Sequence, residues 1–294
     1  MSQNRLFGKL KDYHVAGRKV LFDFEGDNGN LCPSVEVISD TVFNVFIDYE
    51  GLGHRTRAIE GELGERLNAC QECRENAEES EETEWVSWEG SAVVIHSKKL
   101  TAKVNDGFAV DFYDCEGNPL SLAWRGERNE KGVLGWKELM LLAGEGHAAE
   151  DENGRQNQIQ ELRGLEKADC IYGLGDKTGF LNKRHYEYVM WNSDIPDPHE
   201  DNFKSLYKSI PFMLVLKEKG AYGIFFDNHC KSFFDLGKES EDYYVFGAEE
   251  GNLDYYFMGG ESLKDVVRDY TWLTGRAPMQ QLWTLGYHQS RWGY

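Results

Sequence analysis

The stretch VEVISDTVFNVFI, Val35 to Ile47, is dense in β-branched and aromatic side chains with partial two-residue alternation. Such residues suit a pleated, half-buried surface, so the segment reads as β-structure. Upstream, KVLFDFE from Lys19 to Glu25 has the same character, and Asp27-Asn28-Gly29 between the two is a turn signal. Downstream the pattern returns in WVSW from Trp85, AVVIHSKKLTAKV from Ala92 and FAVDFY from Phe108. Asn105-Asp106-Gly107 marks a hairpin and Glu116-Gly117-Asn118-Pro119 a turn. A further hairpin spans Phe212 to Asp227, and YYVF from Tyr243 and LDYYFM from Leu253 are further strands.

Two stretches break this run. Ile59 to Glu84 holds ten Glu against two Arg, a net charge of −8, and is expected as a solvated, partly helical insertion. Gly144 to Gly164 is polar and is expected as a mobile loop. One helix is clear late in the chain. Ser262 serves as N-cap with Asp265 three residues on, and Leu263, Val266, Val267, Tyr270 and Leu273 follow helical spacing. Gly275 and then Pro278 end it. Many strands, regular turns and one late helix predict a mainly β fold, a large β-sandwich.

The formal charge of −19 over 294 residues argues against nucleic acid and against an anionic membrane surface, and is compatible with a neutral sugar. MSQNRLFGKLKDYHVAGRK at the N-terminus has no apolar core of the signal-peptide kind, and no run is long enough to span a bilayer. Six scattered cysteines fit a reduced, cytoplasmic setting. Cys70 and Cys73 form an isolated C-x-x-C in acidic surroundings, with no second pair for zinc and no redox context. No H-E-x-x-H and no G-x-S-x-G is present, so neither metal nor cofactor is expected.

Tyr172-Gly-Leu-Gly-Asp-Lys-Thr-Gly lacks the spacing of a nucleotide fingerprint, and its glycines are read as a tight turn at positive φ. The following segment runs through Trp191-Asn-Ser-Asp194 into Ile195-Pro-Asp-Pro198, an aromatic and acidic loop stiffened by proline. His96 and His288 lie in strand-like runs and are read as structural.

Tyr172-Gly-Leu-Gly-Asp, Leu181-Asn-Lys-Arg, Trp191-Asn-Ser-Asp194, Tyr222-Gly-Ile-Phe-Phe-Asp and Leu285-Gly-Tyr-His-Gln-Ser-Arg-Trp-Gly-Tyr follow one another in order. In these motifs the chain resembles glycoside hydrolase family 31, the α-glucosidases, α-xylosidases and their relatives. The resemblance implies a β-sandwich of galactose-mutarotase-like type over residues 1–278. It implies that residues 279–294 are a linker and the first strand of a catalytic TIM-type barrel, which needs about 250 residues. The family's nucleophile motif, of the form W-x-D-M-N-E, is absent, and Gly26-Asp27-Asn28 spells the acid motif only in an N-terminal turn. Retaining glycosidases need both carboxyl groups. The chain is therefore expected to be an N-terminal portion of the enzyme, with no catalytic residue of its own and no activity alone.

Two substrate-binding positions carry over from the resemblance. Asp194 matches an acidic residue that the sandwich extends over the barrel mouth to bind sugar hydroxyls. Trp292 matches an aromatic, often Tyr, lining the subsite of the non-reducing glucose. Asp176 stands where relatives often carry Glu and is taken as structural. The expected partner is an α-glucoside oligosaccharide, with linkage, an α-xyloside alternative and homo-oligomerisation left open. The competing classes are a stand-alone sugar-binding or interaction sandwich and a mutarotase-like isomerase. The latter would need a His/Glu acid–base set in a cleft.

Overall fold

A computed structural model describes residues 7–26, 31–59, 61–69, 85–126, 159–196, 198–201 and 203–289. Its largest element is an antiparallel sheet of eight strands. In spatial order these are β1 (Leu10–Ala16), β2 (Lys19–Phe24), β3 (Ser34–Ser39), β4 (Val42–Ile47), β17 (Leu253–Gly260), β14 (Ala221–Phe226), β13 (Ser209–Leu216) and β11 (Cys170–Gly175). Two smaller sheets form the facing layer. One is β5 (Val86–Glu89), β6 (Ala92–His96), β7 (Leu100–Asn105), β8 (Ala109–Asp114) and β9 (Pro119–Ser121). The other is β10 (Ile159–Gly164), β16 (Tyr243–Ala248), β15 (Ser232–Asp235) and β12 (Glu187–Met190).

The stretch Val35–Ile47 is two strands, β3 and β4, paired through a turn at Asp40 and Thr41. Every residue of β4 is buried, because both faces of the sheet are covered there. That is why it reads as a nearly continuous apolar run. Phe43, Val45 and Ile47 enter the core between the layers, while Val42 joins a second cluster on the opposite face. By contrast β7 has one solvated face and alternates strictly, with Leu100, Ala102 and Val104 inward. Phe112 of β8 stacks on Phe257 of β17 with centroids 3.9 Å apart, joining the two layers at their centre.

The outer face of the large sheet is covered by α1 (Gly61–Ala69) and α2 (Leu263–Thr274). Helix α2 has the expected capping box: Ser262 caps the Asp265 amide and Asp265 reaches back to the Ser262 amide. Val266 and Leu273 bury against the sheet, and Tyr270 stacks on Phe212 at 3.8 Å. Helix α1 realises the helical part of the acidic insertion; the remainder of that insertion, with Cys70 and Cys73, lies outside the described residues.

Two expectations need correction. The end of the polar stretch Gly144–Gly164 is not a loop: residues 159–164 are β10, paired in register with β16. Its Arg163 is fully buried. Nε donates to Ser121 Oγ at 2.7 Å, Nη1 to Glu161 Oε1 at 2.9 Å, and Nη2 to the carbonyls of Val110 and Ser121 at 3.0 and 2.8 Å. Ala123 pairs with Arg163, so the two smaller sheets join edge to edge there. Residues 144–158 lie outside the described residues.

The second correction concerns the barrel strand expected in Leu282–Tyr294. Leu282–Leu285 is a 3-10 turn, residues 286–289 are irregular, and residues 290–294 lie outside the described residues. A strand's amides and carbonyls need a neighbouring strand. No described strand runs beside this segment, so it bonds locally, Thr284 N to Gln281 O at 2.9 Å.

Candidate functional site

The Asp194 loop sits where the chain crosses between layers. β11 is the edge of the large sheet and β12 the edge of the four-stranded sheet. Residues 191–208 leave the end of β12 and return to β13, which pairs with β11. The loop thus spans the open edge of the sandwich.

Gly173-Leu174-Gly175 sets its base. All three residues have positive φ, at 106°, 69° and 81°. The two glycines meet the need for positive φ expected of this motif. They also admit a close approach: a Cβ on Gly175 would lie 2.0 Å from the Lys208 carbonyl oxygen. Residues 203–209 are therefore packed directly on the end of β11.

Hydrogen bonds pin this return limb on both sides. On the β11 side, the Asp176 amide donates to Lys208 O at 3.1 Å, and Lys177 Nζ to Leu206 O at 3.0 Å and Ser209 Oγ at 3.2 Å. On the β12 side, the Val189 amide donates to Lys204 O at 2.7 Å, and Ser205 Oγ to Trp191 O at 2.6 Å. The Ser209 amide donates to Asn192 Oδ1 at 2.8 Å, and the Ser193 and Ser205 hydroxyls lie 2.9 Å apart. Burial pushes the Lys177 ammonium down to about 8, with Asp176 acting in the opposite direction.

Asp194 follows this anchored segment. It is exposed, and its carboxylate makes no hydrogen bond or ion pair with any described residue. Trp191, three residues earlier, is 40% exposed, with Lys231 Nζ 6.0 Å from its ring centroid. Asp176 is exposed; its amide bonds the return limb and its carboxylate lies 3.6 Å from Lys208 Nζ. A free carboxylate on a fixed backbone can accept two hydrogen bonds from adjacent hydroxyls. Trp292, the other expected site residue, lies outside the described residues. Sequence reasoning did not single out the exposed Trp191 and missed Lys177 entirely. Trp191 was within reach, as part of the quoted motif; nothing local in the sequence marks Lys177 as half-buried.

The structure also brings carboxylates together elsewhere. Glu187 and Asp235 are cross-strand partners, with Lys204 and Lys238 both ion-paired to Glu187. Burial raises Asp235 to about 6 although the Glu239 and Lys238 amides bond it. Asp254 accepts from Asn44 Nδ2 at 2.7 Å and pairs with His54 Nδ1 at 2.8 Å. His54 is buried and stacked on Phe46 at 3.8 Å. Both groups are buried and tie elements together. Among the described residues no cluster of three or more His, Cys, Asp or Glu is arranged to hold a metal. No described helix is long and apolar enough to cross a membrane.

Residues 34–235 match the family model of the glycosyl hydrolase 31 N-terminal galactose mutarotase-like domain. The chain belongs to glycoside hydrolase family 31. Among family 31 relatives, alpha-glucosidase 2 of Bacillus thermoamyloliquefaciens is 45% identical over 139 residues, which are 47% of this chain and 18% of that protein. Alpha-xylosidase XylQ of Lactiplantibacillus pentosus is 31% identical over 130 residues, 44% of this chain and 16% of that protein. The solved family 31 dextranase of Flavobacterium johnsoniae, complexed with glucose, superposes with a TM-score of 0.71 at 29% identity. It covers 96% of this chain, which spans 30% of that one. The same dextranase has been solved, as a mutant, with isomaltotriose. This chain therefore corresponds to less than a third of each of these proteins.

Proposed function

We propose that this family 31 sandwich, residues 1–278, is the N-terminal domain of a cytoplasmic, retaining α-glucosidase that removes terminal non-reducing α-linked glucose. Residues 279–294 lead into its catalytic barrel, and the 191–208 loop presents Asp194 to the sugar. The observation that carries this reading is the contrast within the loop. Its limbs are pinned at seven points described above, yet the Asp194 carboxylate has no partner among the described residues. Ordering such a group in advance lowers the entropy lost on binding. Trp292 completes the pocket as an aromatic wall against the C–H face of the glucose. The higher identity to an α-glucosidase, 45% against 31% for an α-xylosidase, supports glucose over xylose.

The test is Asp194→Ala in the full-length enzyme. A hydrogen bond from a sugar hydroxyl to a carboxylate contributes roughly 1.5–3 kcal/mol, so kcat/KM on disaccharides should fall about ten- to a hundredfold. The melting temperature should stay unchanged, since the side chain bonds no described residue. Wild-type kcat/KM in this variant would show the loop to be structural only.

A further inference from the structure

Lys177 is a half-buried and Lys183 a buried ammonium group, each within 4 Å of no described carboxylate, an arrangement that costs stability unless other acceptors replace water. Each finds only neutral acceptors. Lys183 Nζ donates to the carbonyls of Lys177 and Thr178 at 3.1 and 3.0 Å and lies 5.7 Å from the Tyr188 ring centroid. The Tyr188 hydroxyl donates to that same Thr178 carbonyl at 2.7 Å. The backbone at 177–178 is thus fixed from beneath. From it Lys177 reaches outward to Leu206 O and Ser209 Oγ on the return limb of the Asp194 loop. That limb in turn holds residues 191–193 through Ser205 and Ser209.

We propose that Lys177 is a positioning residue for Asp194: its ammonium ties the return limb to the end of β11, and Lys183 holds the backbone from which it reaches. The inference rests on Asp194 being the sugar contact. Lys177 touches no substrate; it acts through Leu206, Ser209 and the chain that leads from them to Asp194. A long side chain ending in a donor is needed to reach both Leu206 O and Ser209 Oγ. A neutral residue of the same length fills the space but leaves Leu206 O without its donor.

Hydrogen exchange and kinetics test this together. In Lys177→Met of the 294-residue chain, amides of residues 191–195 and 203–209 should exchange roughly tenfold faster, with β14 and β17 unchanged. Ser209→Ala, which removes one acceptor, should give a smaller increase at the same amides and guards against a Lys177 variant that fails to fold. In the full-length enzyme, Lys177→Met should lower kcat/KM about three- to tenfold in the wild-type background and not at all in the Asp194→Ala background. A merely structural lysine would cost the same in both. Unchanged exchange at 191–195 in both variants, or an equal kinetic cost in both backgrounds, overturns the proposal. If Asp194→Ala keeps full activity while Lys177→Met still loosens the loop, the sugar-contact reading fails and the mechanical role of Lys177 stands.

Discussion

Arg163 Nε lies 2.7 Å from Ser121 Oγ across the seam where the two smaller sheets meet. The guanidinium is fully buried, is spread over two carbonyls, two hydroxyls and the Glu161 carboxylate, and lies 5.2 Å from the Phe112 ring centroid. It therefore bonds the five-stranded sheet, the four-stranded sheet and the large sheet, the last through Tyr255 at 3.4 Å.

Arg163→Met should destabilise the domain by about 3–5 kcal/mol, because buried carbonyls and Glu161 lose their donors together. Arg163→Lys should recover only part, since one ammonium cannot reproduce the planar fork. Urea unfolding gives the measurement. A loss under about 1 kcal/mol would mean that water replaces the guanidinium and that the seam does not depend on it.

Gly175→Ala should be severe and local to the candidate site. The added Cβ would sit 2.0 Å from Lys208 O at φ +81°, so the return limb must move. Gly117→Ala is the control, with φ +84° and nothing within 4 Å of its Cβ. The control should cost only the left-handed strain, about 1 kcal/mol, and the Gly175 variant at least 2 kcal/mol more. Equal thermal shifts would mean that the close approach at Gly175 is readily relieved.

Asp227, at the end of β14, is raised to about 7 by burial and by the neighbouring Asp254, against the lowering effects of Thr56 and His54. A carboxyl with a raised folded pKa holds its proton more tightly in the native state. Stability from this group is therefore full below about pH 4 and is lost as pH rises through about 7. Asp235, raised to about 6, acts in the same direction. Asp227→Asn should match the wild type at pH 4 and exceed it at pH 8, by on the order of 2 kcal/mol in urea unfolding. A difference that does not change between the two pH values would refute the assignment.

The 294-residue chain should release aryl α-glucosides no faster than buffer, since the W-x-D-M-N-E motif is absent from it. Turnover that follows the protein through further purification would contradict the division of labour proposed between sandwich and barrel.

The sequence by itself determined the β class, most strands, the α2 capping box and the family, because these follow from short-range patterning and from ordered motifs. Strands β5 to β8 and the hairpin at Phe212–Asp227 were legible where apolar residues cluster between strong turns. β10 was not, because Gln160, Glu161 and Arg163 look like a solvated loop until the seam supplies partners for them. β11 hid behind its glycines, which serve both a strand end and a close approach. Leu282–Leu285 failed in the opposite direction, being strand-like in sequence and a 3-10 turn in structure. In the candidate site, the motif singles out Asp194, whereas its lack of a partner among the described residues and the Lys177 tie were not legible. Both depend on which backbone carbonyls residues 203–209 bring to the edge of the sandwich. That is decided by long-range packing, since hydrogen-bond partners distant in the chain leave no local pattern in its residues.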